Sequence, residues 1–353
     1  MEKNARTKII EIADCLPGMV IAHDVFSKQH ILVIPAGTIL DEYSIERMDN
    51  LFIADIEIYN MSEFEIEREA NSFEQTYASH VSQIKDIFDN LENGNFLRME
   101  EIRSTVSDVI TSNISHRDIL HTLNGLRNFD EYTYTHSLNV GILAMMLARW
   151  SGIPENQTKQ ICYAGVLHDI GKARIPGSIL NKPGILTTEE FNIIKGHSVA
   201  GYDILKQNHN ISDDIRHGVL MHHERIDGSG YPLGITGDRI HEYSKIIAVA
   251  DVFDAMVSDR CYKSKESPFN VLEHFETQCL GHLDAKYLKT FIEKISFYLL
   301  GEHVHLSDGR LAEVVFVNPR CLNRPIIQVD GMIIDLAKEL NLSISGLAER
   351  VTA

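Results

Sequence analysis

Gly165-Val166-Leu167-His168-Asp169-Ile170-Gly171-Lys172 sets a histidine and a carboxylate side by side at the end of an apolar run. An imidazole nitrogen binds one metal ion, whereas an aspartate has two oxygens and can bridge two. A His-Asp dipeptide alone is common, so it is read with what surrounds it. His136, His197, His222, His223 and Asp251 also fall on or beside predicted helices with strongly apolar neighbours. His222 and His223 are adjacent at the end of an apolar helix. Helical neighbours point about 100° apart, so both serve as ligands only over a helix end or across two metals. Asp251 closes the apolar run that starts at Ile246, and a buried charge is costly unless paired or metal-bound. Taken singly, each residue reads more plainly as a hydrogen-bonded core histidine or an N-cap aspartate. Seven in one helical region favour a metal centre.

The surrounding chain supports a mainly α protein. Residues 121–300 are expected to be one domain, read as almost all helix over 121–298. Ser137 to Trp150 is apolar almost all round, the pattern of a buried central helix. Thr187 and Glu190 form a capping box that is expected to open the helix containing His197. Residues 226–238 are rich in Gly and Pro and interrupt the pattern as an ordered or mobile loop. Asp254, one turn after Asp251, is read as structural.

Residues 1–72 are expected to be a small α/β domain of regulatory type. Its strands fall at Met19 to Ala22, His30 to Pro35 and Ile53 to Tyr59, its helix at 41–51, and a turn at Pro35-Ala36-Gly37. Residues 73–120 read as a helical connector, with long helices joined near Asn93-Gly94-Asn95, or as a solvated helical face. Residues 301–353 are expected to be a short β-rich tail. It has runs at Leu311 to Val317 and Pro325 to Val329, and a turn at Asp330-Gly331 before Met332 to Ile334.

The bulk numbers exclude several classes. At 353 residues the chain exceeds one hydrophobic core, so two or three domains are expected. A net charge of −17 does not track a nucleic-acid polymer. A phosphate-bearing substrate would therefore need local cations, bound metals first among them. The five cysteines are scattered and form no CxxC pair, which reads as buried small hydrophobes in a reducing cytosol. No apolar run approaches a membrane span of about 18 residues, and Met1 to Ile12 has no apolar signal core. A cytoplasmic protein with no membrane contact is the expectation. The imidazole and carboxylate set, with no thiolate, suits iron or manganese better than a closed structural zinc. His23, His30, His80, His209, His274, His303 and His305 fall outside these motifs and are read as ordinary.

Together the motifs resemble the HD-GYP branch of the HD-domain phosphohydrolases. The matching pieces are Asp130 to His136, His168 to Lys172, Gly196-His197, His222 to Pro232, Ala250-Asp251 and Asp259 to Lys263. They run in family order across roughly residues 120–265, and the Asp227-Gly-Ser-Gly-Tyr-Pro232 stretch is the most specific. The resemblance implies an all-helical HD-type bundle around a two-metal centre. His136, His168, Asp169 and Asp251 would hold one ion. Asp169, His197, His222 and His223 would hold the other, with Asp169 bridging. Some members take a third ion through a glutamate four residues before the first histidine. Here that position is Tyr132, beside Glu131, so two ions are expected.

The implied activity is hydrolysis of cyclic di-GMP to linear pGpG or GMP, by metal-activated hydroxide attack on phosphorus. His168, Asp169 and Lys172 would carry the chemistry. Lys172 would contact a phosphate or the leaving oxygen, or else cap a helix end on the surface. Arg260 and Lys263 match phosphate-holding positions, with solvated charges as the alternative, and Tyr231 would line the substrate groove or a partner surface. The resemblance also links the Gly230-Tyr231-Pro232 loop to diguanylate cyclase domains, and a homodimer is expected. Three alternatives stay open: a cyclic-dinucleotide receptor acting through partners, a phosphodiesterase for the mixed GMP-AMP cyclic dinucleotide, and a general HD mononucleotide phosphohydrolase.

Overall fold

The computed structural model describes residues 7–26, 32–34, 38, 40, 42–59, 63–95, 97, 102–104, 106–107, 109, 132–258, 266–318 and 321–348. The turn at Pro35-Ala36-Gly37, His30, Glu131, Arg260, Cys261 and Lys263 lie outside these residues, as does the side chain of Tyr132. The chain separates into two compact units. The first collects described residues of 1–77 and 295–353, the second those of 78–112 and 125–294.

The first unit holds small antiparallel sheets. β1 (Thr7–Glu11), β2 (Val20–Ile21) and β5 (Asp55–Tyr59) form a sheet in the order β1-β5-β2, while β3 (Val25–Phe26) pairs with β4 (Leu32–Ile34). α1 (Glu42–Asn50) supplies Met48 to the core shared with Ile21, Ile56 and Ile58. β1 was not foreseen. Its sequence TKIIE has too little alternation to signal a strand, and it is held by five register pairs with β5. A five-stranded sheet, in the order β10-β6-β7-β8-β9, is built from β6 (His303–Leu306), β7 (Leu311–Asn318), β8 (Cys321–Val329), β9 (Met332–Asp335) and β10 (Ile344–Leu347). The β8–β9 turn is the expected Asp330-Gly331, with both residues at positive φ, 49° and 77°.

α2 (Glu63–Glu92) runs unbroken across residue 72 and stops where Gly94 takes φ +80°. In the second unit α3 (Tyr132–Trp150) is buried along most of its length, as its apolar sequence requires. It packs against α4 (Glu155–Leu167) and α9 (Glu242–Val257). The α3–α4 crossing is set by two glycines: a Cβ on Gly165 would lie 2.8 Å from the Gly141 Cα. After α4 come a 3-10 turn (Ile170–Arg174), α5 (Gly177–Leu180), α6 (Thr188–Lys195), α7 (His197–Lys206) and α8 (Asp213–Met221). Phe253 of α9 meets Phe275 of α10 (Pro268–Gln278) at 6.0 Å and Phe291 of α11 (Ala285–Tyr298) at 4.9 Å, both edge-on. These three rings are fully buried, each stabilising the fold by about 1.5–3 kcal/mol. Among the described residues no helix is long and apolar enough to cross a membrane.

The capping box forms as expected: Glu190 N donates to Thr187 Oγ1 at 3.2 Å, and Thr187 N to Glu190 Oε2 at 2.7 Å. The helix it opens nevertheless ends at Lys195, and His197 begins a separate helix. Gly196 serves as the last cap of one and the first of the next, and this break lets His197 Nδ1 reach the Ile194 carbonyl at 2.7 Å. α7 also sits directly on the 3-10 turn, where a Cβ on Gly171 would lie 1.9 Å from the His197 carbonyl oxygen. Substituting Gly165→Ala should lower the unfolding free energy by about 1–3 kcal/mol through overpacking at the α3–α4 crossing, read from urea denaturation midpoints. Gly171→Ala should cost at least as much, because its added methyl meets backbone that no rotamer change can move.

Candidate metal centre

Five elements converge on one buried point. α3 brings His136, the end of α4 brings His168 and Asp169, and the start of α7 brings His197. The end of α8 brings His222 and His223, and α9 brings Asp251. Asp251 lies mid-helix rather than at a helix end, because α9 continues to Val257. All seven are buried except His223, which is partly buried.

The donor atoms fall into two groups. Those of Asp169, His197, His222 and His223 lie within 4.8 Å of one another, as do those of His136, His168 and Asp251. Asp169 stands between them. Its Oδ1 is 3.3 Å from His197 Nε2, and its Oδ2 is 3.3 Å from His168 Nε2 and 3.8 Å from His136 Nε2. Asp251 Oδ1 lies 3.1 Å from His136 Nε2, and its Oδ2 lies 3.8 Å from His223 Nδ1.

The imidazoles are oriented by their other nitrogens. His168, His197 and His222 each hold the carbonyl three residues earlier: Gly165 O at 2.7 Å, Ile194 O at 2.7 Å and Val219 O at 2.6 Å. A carbonyl only accepts, so each Nδ1 carries a proton, and in the neutral ring Nε2 is then the nitrogen with the lone pair. His136 Nδ1 is bonded instead to Asp254 Oδ2 at 2.7 Å, and Asp254 Oδ1 accepts from Asn139 Nδ2 at 2.9 Å. Carboxylate and carbonyl partners of this kind fix the ring angle of metal-binding histidines and raise their basicity.

The consequence is unfavourable without a cation. His197 Nε2 and His222 Nε2 face each other at 3.3 Å, two lone pairs with no proton between them. His168 Nε2 and Asp169 Oδ1 are buried with no hydrogen-bond partner. Unsatisfied buried polar atoms are rare and costly. Divalent cations would satisfy all four atoms at once, so the residues fit a metal centre.

Electrostatics agree. Burial pulls His222 well below the ordinary imidazole range, helped by His223, His168 and His197. Burial also brings His223 down to about 3 and lowers His197. These rings are neutral, as ligands must be. Burial pushes Asp169 up, but Lys172, His168 and His197 together outweigh it and hold the carboxyl well below the usual range. Asp251 is held down likewise, chiefly by His136 against its burial. Lys172 Nζ donates to Asp169 Oδ2, which sets its ammonium against a carboxylate of the cluster.

Tyr231 stacks on His223 with ring centroids 4.6 Å apart and an interplanar angle of 29°. It is delivered by an ordered loop. Glu224, buried between His223 and the glycine stretch, accepts from the backbone N of Leu233 (2.6 Å), Gly234 (3.2 Å) and Ile235 (3.1 Å). Gly230 passes against the chain so closely that a Cβ would lie 2.4 Å from the Arg225 N. The Glu224 clamp and the Asn139–Asp254–His136 relay were not assigned roles from the sequence. The available signal for Glu224 was a lone carboxylate next to a glycine loop full of backbone donors. Asn139 had none, because its partner is remote in the chain.

Fold and site together define a helical domain with a buried cluster of histidines and aspartates able to hold metal ions. Residues 122–286 match the family described as "HD domain". The chain is 37% identical to the Cyclic di-GMP phosphodiesterase PA4108 of Pseudomonas aeruginosa, over 64% of this chain and 54% of that protein. It is 35% identical to the 3'3'-cGAMP-specific phosphodiesterase 2 of Vibrio cholerae, over 46% of this chain and 31% of that protein. The chain spans about half the length of the curated relatives it matches. Among solved structures, Bd1817, a HDG"Y"P protein from Bdellovibrio bacteriovorus, superposes with a TM-score of 0.50 at 15% identity, covering 82% of this chain and 99% of that one. That likeness concerns the fold.

Asp254→Asn should weaken metal retention about 10–100-fold, measured by chelator competition, because it loosens His136 without removing a donor. The metal-free protein should also lose stability as pH falls from 7 to 5.5. His197, His222 and His223 have folded values below their unfolded one of 6.5. The unfolded chain therefore takes up protons first, at about 1.4 kcal/mol per pH unit for each proton. His136 runs the other way, since Asp251 and Asp254 outweigh its burial and raise it. Its contribution is complete below pH 6.5 and is lost only as pH rises. The carboxylates Asp169 and Asp251, lowered from 3.8, act only at more acid pH. Melting temperatures of chelated protein across this range check the sign.

Proposed function

We propose that the protein hydrolyses a cyclic dinucleotide, cyclic di-GMP first, at this centre. The observation that carries the reading is the opposed pair His197 Nε2 and His222 Nε2, with the orphaned His168 Nε2 and Asp169 Oδ1 beside it. Such atoms call for divalent cations, and a phosphodiester is one of the substrate classes that two-ion sites serve. The names of the curated relatives support the choice of a cyclic dinucleotide.

His136, His168, Asp169 and Asp251 would hold one ion, and Asp169, His197, His222 and His223 the other. The hard and borderline donor set supports iron or manganese. Bound there, the ions would acidify a water and neutralise charge on the phosphate oxygens. The chain's own residues prepare that chemistry. The three carbonyl contacts and Asp254 hold the imidazoles in one orientation before substrate arrives. Tyr231 covers His223 and shields that edge from water. Lys172 places an ammonium beside Asp169, where it can meet a phosphate or leaving oxygen once the carboxylate is neutralised. Arg260 and Lys263 are proposed as further phosphate contacts by resemblance. Leu233, 53% exposed on the same loop as Tyr231, offers an apolar contact for a diguanylate cyclase domain.

The test is chromatography of cyclic di-GMP and the mixed GMP-AMP cyclic dinucleotide after incubation with anaerobically purified, iron- or manganese-loaded protein. Cyclic di-GMP should disappear in favour of pGpG or GMP. Asp169→Ala or chelation should reduce the rate by about 100-fold or more. Faster loss of the mixed dinucleotide would move the assignment to that substrate. Binding of either without hydrolysis would mark a receptor, and two untouched, unbound dinucleotides would end the proposal.

A further inference from the structure

We propose that Lys195, with the face of Phe191 beside it, holds the half of the cyclic dinucleotide that is not being cleaved. Lys195 would bind the second phosphate and Phe191 would stack a base. This inference rests on the phosphodiesterase reading above.

Lys195 ends α6, two residues before His197. Its Nζ lies 4.9 Å from the ring centroid of Phe191 and 5.8 Å from that of Tyr231. Tyr231 in turn stacks on His223 of the metal centre. The ammonium is thus one aromatic ring away from His223 of the metal centre. Phe191 is 48% exposed, and Lys195 and Tyr231 are partly exposed.

A lysine at a helix end has a simple alternative role, complementing the helix dipole. Two observations go beyond it. Lys195 has no carboxylate partner among the described residues, although the chain carries 50 acidic residues against 33 basic ones. Its neighbours Lys172 and Lys182 are both engaged, with Asp169 and Glu190. Secondly, the ring contacts hold the ammonium in place without using its N–H donors, because cation–π attraction acts through the ring face. An ammonium so held, with donors unspent, suits a phosphate oxygen.

The stoichiometry of the substrate fits. A cyclic dinucleotide has two phosphates and two bases. One phosphate must sit on the metal centre to be cleaved, which leaves the other anionic. In a protein of net charge −17 that second phosphate needs a local cation. A half-exposed aromatic ring next to that cation provides a stacking face of the kind that binds bases regardless of sequence.

The experiment is steady-state kinetics of the metal-loaded full chain on cyclic di-GMP, comparing wild type with Lys195→Ala, Lys195→Arg and Phe191→Ala. Metal content and melting temperature are measured on each. Lys195→Ala should raise KM about tenfold with kcat within about twofold, the signature of lost binding rather than lost chemistry. Its KM should also depend less steeply on salt, as expected when one phosphate contact is removed. Lys195→Arg should restore most of the affinity, and Phe191→Ala should raise KM with metal content unchanged. If wild type turns over cyclic di-GMP while Lys195→Ala keeps its KM and salt dependence, this inference fails and the phosphodiesterase reading stands. A fall confined to kcat, or accompanied by metal loss, assigns Lys195 to the metal centre and also overturns it. If wild type leaves both cyclic dinucleotides intact, both readings fall together.

Discussion

Three histidines commit Nδ1 to the carbonyl three residues behind them, and everything at the centre follows from that. Each bond is local, closed within a single turn at a helix end or junction. It leaves Nε2 as a lone pair aimed inward, with no freedom to rotate away. Bringing several such helix ends together packs lone pairs against carboxylate oxygens in an interior from which water is excluded. That arrangement is electrostatically tolerable only around cations. The apolar helices are therefore more than a scaffold, because their ends orient the donors and their burial keeps His197, His222 and His223 neutral.

Close backbone packing brings the ends together. At Gly141–Gly165 two helices approach with no room for a side chain, which sets the His136 and His168 rings 5.1 Å apart. At Gly171 the turn after Asp169 touches the first residue of α7, which fixes His197 against the carboxylate. The Glu224 clamp works in the same direction on the other side. It supplies the acceptor for three loop N–H groups that would otherwise be under-satisfied, so the glycine loop presents Tyr231 in one place. A glycine-rich loop is usually an argument for mobility. Here a single buried carboxylate reverses it.

The site thereby acquires two zones. The inner zone is a set of imidazoles and carboxylates whose donor atoms are grouped as metal ions require. The outer one has the Lys195 ammonium near the rings of both Phe191 and Tyr231.

The residues of the centre were legible in the sequence because histidine and aspartate stand out in apolar helical runs, whatever the fold does with them. The same holds for the central helix at Ser137 to Trp150, the Thr187–Glu190 box and the Asp330-Gly331 turn, all of which obey local rules of hydrophobic period, capping and backbone angle. Other features depend on residues far apart in the chain. The pairing of Asp254 with His136 spans 118 positions, and β1 is a strand only because β5 lies beside it. The close approach of α7 to the turn at Gly171 likewise joins backbone from separate elements. By itself, then, the sequence determined which atoms were available for chemistry and which segments would be helical. Only the tertiary structure decided which oxygen of Asp169 faces which imidazole and which nitrogen of each histidine is free. Those are matters of distance and direction between separate helices, and no local pattern encodes them.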